Sequence, residues 1–135
     1  MALILIIEDD PNSRKLVRDV LQVKGYQTIE SETAEEGIRL AKEQLPALIL
    51  MDIQLPGISG IEALQRLRAD PDTAAIPVIA VTASVMTAQQ QNVLEAGFDA
   101  FEGKPISVVA LLKTIQDLVE RGTGFRKLTA QPERT

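Results

Sequence analysis

Five side chains able to do group-transfer chemistry stand at the ends of apolar runs in this sequence. Asp52 directly follows Leu48-Ile49-Leu50-Met51 and precedes a loop containing Pro56, Gly57 and Gly60; Glu8 and Asp9 follow Leu3 to Ile7; Thr82 follows Pro77 to Val81; Lys104 follows Ala100-Phe101-Glu102. If strands deliver these groups to one edge, three acids, a hydroxyl and an ammonium share one crevice. Carboxylates so crowded raise one another's pKa unless a cation sits among them, and oxygen ligands with open water positions suit Mg²⁺. A carboxylate can also act as a nucleophile and form an aspartyl phosphate. Lys104 would then neutralise phosphoryl charge and Thr82 would donate to the transferred group. Asp52, central in the set, is the nucleophile of choice, which leaves Glu8 and Asp9 as the acids for the metal.

Composition narrows the alternatives. The sequence has neither cysteine nor histidine, which removes disulfides, thiolate or imidazole metal sites, and serine or cysteine nucleophiles activated by histidine. It also removes any role as a phosphohistidine donor. A net charge of −5 argues against a nucleic-acid backbone as the direct ligand. The apolar opening Met1 to Ile7 lacks a basic leader and runs straight into acids, so no signal peptide is expected. No run reaches membrane-spanning length, and the default expectation is a cytoplasmic protein without a membrane partner.

The elements that must position the five groups alternate along the chain. Leu3–Ile7 reads as a strand, and Pro11-Asn12-Ser13 opens a helix with apolar residues at Leu16, Val17, Val20, Leu21 and Val23, stopped by Gly25. Tyr26 to Glu30 suits an edge strand, and Thr33 with Glu36 has the spacing of a capping box. Ala47–Met51 is a buried strand, Ile61–Arg68 a helix, Pro77–Val81 another buried strand, and Met86 to Ala96 a polar helix ended by Gly97. Ala100–Glu102 is a short strand, and Val108–Glu120 an amphipathic helix. Strand and helix repeated five times predict an α/β fold: a doubly wound, flavodoxin-like, five-stranded parallel sheet of order 2-1-3-4-5. The carboxyl ends of strands one and three then adjoin at the topological switch point. Residues 1–121 form the domain; residues 122–135 are too few and too polar for a second one and are expected to be a partly disordered C-terminal tail.

Asp52 with Pro56 and Gly60 after it, Glu8-Asp9 after strand one, Thr82-Ala83 after strand four and Lys104-Pro105 after strand five together resemble the CheY-like receiver domain of two-component response regulators. The resemblance implies Mg²⁺-dependent phosphorylation of Asp52 by a sensor histidine kinase or a histidine phosphotransfer protein. It implies Asp9 and Asp52 as metal ligands, Glu8 acting directly or through water, and a backbone carbonyl from Gln54. A cis Lys104-Pro105 bond is also implied, as is a switch in which Thr82 is coupled to Phe101. That switch alters a face made by helix four, strand five and helix five, where a downstream protein would bind. Phe101 stands where tyrosine is commoner, so the ring can be buried but offers no hydroxyl. Gln54 and Ser84 hold positions bordering the path of the water that removes the phosphoryl group, and self-dephosphorylation is expected to be measurable but not fast. Met51–Leu55 with Ile58-Ser59-Gly60, Ile76–Ala83 and Lys104–Val109 resemble the DivK-type single-domain regulators.

The expected function is therefore a phosphorylation-operated signalling switch rather than an enzyme. A phosphatase with an aspartyl nucleophile is the rival, yet such enzymes usually carry a second acid two residues on, where this chain has Gln54. A receiver module detached from a hybrid kinase would share the same residues. A flavodoxin-like cofactor binder would meet an acidic loop after strand one, hostile to a flavin phosphate.

Overall fold

The computed structural model describes residues 2–53, 55, 57–82, 97–104 and 106–121. The Gln54 carbonyl, Pro56, Ser84, the helix predicted at 86–96, the Lys104-Pro105 bond at Pro105 and the tail 122–135 lie outside the described residues.

Nine elements are described: β1 (Leu3–Ile7), α1 (Pro11–Val23), β2 (Gln27–Ser31), α2 (Ala34–Gln44), β3 (Leu48–Asp52), α3 (Gly60–Ala69), β4 (Val78–Thr82), β5 (Ala100–Gly103) and α4 (Val108–Arg121). All five strands pair in parallel in the order β2-β1-β3-β4-β5. The expected doubly wound sheet is the observed one.

Strand periodicity explains the two layers. On one face Leu5, Ile7, Ile49, Met51, Val78 and Ala80 pack with Ala34 and Ala41 of α2 and with Ala63, Leu64 and Leu67 of α3. On the other, Ile4, Ile6, Leu48, Leu50 and Ile79 pack with Val17 and Leu21 of α1 and with Leu111, Ile115 and Leu118 of α4. Because β3 is covered on both sides, all five of its residues are buried, which is why it reads as an unbroken apolar run. Each such Leu or Ile contributes about 1.5–3 kcal/mol of burial.

Local signals set the element ends. Asp10 caps α1, its carboxylate accepting from the Ser13 N–H at 3.2 Å and from the Ser13 hydroxyl at 2.8 Å. At the other end of α1, Gly25 takes φ of 93° while its N–H bonds the Gln22 carbonyl and the Tyr26 N–H bonds the Leu21 carbonyl at 3.0 Å. This is a Schellman ending, and it spends the Tyr26 N–H on the helix, so β2 begins at Gln27 and not at Tyr26 as expected. Only half of the predicted capping box forms. The Thr33 hydroxyl accepts from the Glu36 N–H at 3.2 Å, but the Thr33 N–H donates to Ser31 Oγ and the Glu36 carboxylate turns to Arg39.

Gly60 opens α3 hard against the sheet. Its N–H donates to the Ile53 carbonyl at 3.2 Å, and a Cβ there would stand 2.5 Å from the Ile53 Cα. Backbone cannot swing aside as a side-chain tip can, so Gly60→Ala is expected to cost about 1–3 kcal/mol through overpacking. Urea unfolding measures this; an unchanged midpoint would show that α3 starts with room to spare.

Candidate functional site: an acidic crevice closed by a lysine

The same two-residue period that sorts the core also aims the site. Counting outward from Ile4 and Ile6, Glu8 falls on the α1/α4 face, as does Asp52 counted from Leu48 and Leu50. Both are 5 % exposed. Beneath them lies an apolar floor that includes Ile6, Val17, Leu50, Val81 and Ile106. The register carries the arrangement across the sheet: Ile7 pairs with Met51, Asp52 with Val81, and Thr82 with Gly103.

Backbone hydrogen bonds continue past the strand ends and hold the first loop residues in place. The Ile53 N–H donates to the Val81 carbonyl at 3.0 Å, and the Lys104 N–H donates to the Thr82 carbonyl at 2.9 Å. From there the Lys104 Nζ reaches back over the crevice to Asp52 Oδ2 at 2.9 Å and Glu8 Oε1 at 3.1 Å. The second Glu8 oxygen accepts from the Asp10 N–H at 3.1 Å, and the Glu8 carbonyl accepts from Arg14 at 2.9 Å. Asp9 is exposed beside them, and Glu8, Asp9 and Asp52 each offer a carboxylate oxygen within 4.8 Å of the others. Among the described residues these acids form a group that can hold a metal ion.

The electrostatics reflect this packing. Burial over an apolar floor pushes the Glu8 carboxyl up from 4.5 to about 7; the Asp10 N–H pulls the other way, and Asp52 pushes it up again. Burial works against the Lys104 charge, but its bonds to Asp52 and Glu8 outweigh that and hold the ammonium above the usual lysine range. Asp10, the third acid of the loop, is held below its usual range by the Ser13 bonds of its capping role. Its carboxylate serves the helix.

Thr82 is buried at 3 % exposure at the end of β4. Phe101 pairs with Ala80, two residues back from Thr82, so the two share a face as diagonal neighbours. Its half-buried ring packs against the α2/α3 layer. The sheet therefore brings Glu8, Asp9, Asp52, Thr82 and Lys104 to one edge.

Two arginines escaped the sequence reading. Arg14, one turn into α1, ties that helix to the Glu8 carbonyl and to Glu30. Arg68 closes the opposite edge of the sheet, donating to the carbonyls of Ala74, Ile76 and Gly97 and to Asp99 at 3.0 Å. No local spacing announces the second pair, whose members stand 31 positions apart.

A site of this geometry at the carboxyl edge of this sheet has known counterparts. The model of the response regulator receiver domain matches residues 4–116. The chain belongs to the response regulator receiver family. This receiver is 42 % identical over 113 residues to the polar-differentiation response regulator DivK of Brucella ovis, covering 84 % of this chain and 92 % of that one. The DivK of Brucella abortus strain 2308 matches at the same level. Among solved structures, the receiver resembles a response regulator from Chloroflexus aurantiacus, with a TM-score of 0.85, 27 % identity, and coverage of 89 % of this chain and 98 % of that one. It also resembles the receiver domain of the sensor histidine kinase PA1611 from Pseudomonas aeruginosa, described with magnesium coordinated in its active-site cleft. There the TM-score is 0.78 at 29 % identity, with coverage of 91 % and 98 %. Receivers of two-component systems take a phosphoryl group on an aspartate from histidine kinases or phosphotransfer proteins, and this DivK-like receiver is of that kind.

Proposed function

We propose that Asp52 is the phosphoacceptor of this receiver, with Glu8 and Asp9 completing a Mg²⁺ site to which Gln54 adds a carbonyl. The observation that carries the reading is the Lys104 ammonium held 2.9 Å from Asp52 and 3.1 Å from Glu8 with Asp9 in the same cluster. An Asp52 carboxylate oxygen attacks the phosphorus of a phosphohistidine. One P–O bond forms, one P–N bond breaks, and the imidazole leaves with the electron pair of that bond. Bound Mg²⁺ supplies charge neutralisation at the phosphoryl oxygens. Lys104 follows the charge as it moves from Asp52 to the phosphoryl group, and Thr82 donates its hydroxyl to that group. Thr82 then draws on Phe101 through their shared face, altering the surface that a downstream protein reads. Gln54 and Ser84 border the route of the hydrolytic water and set the lifetime of the switch. The structural roles of Pro56 in the loop and of a cis bond before Pro105 belong to the same reading.

This receiver acts as a stoichiometric switch in the cytoplasm, without nucleic acid or membrane as its ligand. Among the described residues no helix is long and apolar enough to cross a membrane. Incubation with Mg²⁺ and acetyl phosphate is expected to load one phosphoryl group per chain and then stop. Sustained turnover of phosphate esters would instead favour the phosphatase reading. The likeness to a sensor kinase's receiver keeps a second origin open, a receiver module of a hybrid kinase, with the same chemistry at Asp52.

Glu8 gives the site a pH dependence. Its carboxyl must be ionised to help hold a cation and is raised to about 7 in the cation-free chain, so Mg²⁺ affinity is expected to fall as pH drops from 8 to 6, by up to about tenfold per unit below 7. Magnesium titrations at several pH values measure this, and Glu8→Gln should flatten the profile. The same shift acts on folding with the opposite sense. The cation-free fold retains a proton that the unfolded chain releases near 4.5, so this contribution to stability is present below pH 4.5 and lost as pH rises through 7.

A further inference from the structure

Glu8 and Asp9 stand on a loop whose peptide groups are held one by one. The Glu8 N–H donates to the Ser31 carbonyl at 3.0 Å, and the Asp10 N–H donates to the Glu8 carboxylate at 3.1 Å. The Asp10 carbonyl accepts from the Arg14 N–H at 2.9 Å. Between these points lies the peptide that joins the two acids, and its carbonyl accepts from Arg14 Nη1 at 2.9 Å. A peptide group is planar, so a bond at the Glu8 carbonyl also fixes the direction in which the chain leaves toward the Asp9 Cα.

Arg14 is itself clamped. Its Nε donates to Glu30 Oε1 at 3.2 Å, while Arg18 Nη1 stands 3.2 Å from the second Glu30 oxygen. Glu30 is thus held at both oxygens, and the rigid, planar guanidinium carries that constraint from Nε to Nη1. The Arg14 side chain is only 17 % exposed, which shields the fork from competing water. A clasp between α1 and β2 needs the Glu30 pair alone; the second bond, to the peptide between the acids, ties that clasp to the site.

We propose that Arg14 is a positioning residue for the cation, anchored on Glu30 and acting through the Glu8 carbonyl to aim the Glu8 and Asp9 carboxylates. The proposal rests on the reading of those two acids as part of the Mg²⁺ site. Partners one step behind the ligands orient them and set metal affinity.

The sign of the effect separates positioning from charge. Arg14 is a cation near a cation site, so its loss through charge alone would tighten Mg²⁺ binding. Loss of positioning weakens it. Arg14→Met keeps an apolar stem and removes the donors. Calorimetric titration of the full chain with Mg²⁺, well below the melting temperature, is expected to show about tenfold weaker binding in this variant. Arg14→Lys keeps the charge and one compact donor group, which cannot span the carbonyl and Glu30 as the fork does. Its binding should fall between parent and Arg14→Met. Glu30→Gln should weaken binding more in the parent than in the Arg14→Met background, because Glu30 acts through Arg14. Binding as tight as the parent's, or tighter, in either Arg14 variant overturns the positioning role and leaves the metal reading intact. A parent chain that takes up no Mg²⁺ overturns both.

Discussion

Arg68→Ala is expected to remove about 3–5 kcal/mol of stability, the cost of breaking a buried ion pair from one side. The Asp99 side chain is only 4 % exposed, and its carboxylate accepts from both Arg68 at 3.0 Å and the Val78 N–H at 2.8 Å. Arg68 also satisfies the carbonyls of Ala74 and Ile76, joining the end of α3, the turn after it and the start of β4. Against a total stability of about 5–15 kcal/mol, a loss of this size lowers the melting temperature by roughly 10–20 °C. Asp99→Asn keeps an oxygen for the Val78 N–H and carries no charge, so in the Arg68→Ala background it should recover part of the loss. Calorimetry of the two singles and the double gives the coupling directly; strictly additive losses would show that the pair is not a unit. Because Arg68 works at the edge of the sheet remote from Asp52, phosphoryl uptake well below the melting temperature should be unchanged.

The second large effect falls on the chemistry. Lys104→Met is expected to slow phosphoryl uptake by about 10²–10³-fold, as for removal of a preorganised charged donor. It should also make folding more dependent on Mg²⁺. Without the ammonium, Glu8 and Asp52 face each other at 5 % exposure with their shared cation gone, and a bound divalent ion then relieves more repulsion than in the parent. The melting temperature should therefore climb further with added Mg²⁺ in the variant than in the parent. Uptake within a few-fold of the parent rate would remove Lys104 from the mechanism.

The fold and most of the site were legible in the sequence wherever the information is local. An unbroken apolar run ending in one acid identified β3, since only a strand covered on both faces reads that way. Alternation of strands and helices then led to the sheet order, and the order to the meeting of Glu8, Asp9 and Asp52. Boundaries were harder. Tyr26 looks like a strand residue in sequence, yet its N–H completes the ending of α1 at Leu21. Within Glu8-Asp9-Asp10 the letters are nearly alike, and only the geometry separates a buried acid, an exposed acid at the crevice and a helix cap. Capping by Thr33 was visible, but the competing bond from its N–H to Ser31 Oγ was not. Arg68 and Asp99 were out of reach because their meeting depends on packing between α3 and the loop before β5, which no short spacing encodes.

The claim at the centre is that Asp52 is the carboxylate that becomes phosphorylated. Load the chain with a phosphohistidine donor and Mg²⁺, reduce the acyl phosphate with borohydride, which turns the labelled aspartate into homoserine, and locate that residue by mass spectrometry. The expected result is a single, base-labile phosphoryl group at Asp52, absent without Mg²⁺ and absent in Asp52→Asn. A label on Asp9 or Glu8, or undiminished labelling of Asp52→Asn, would contradict it.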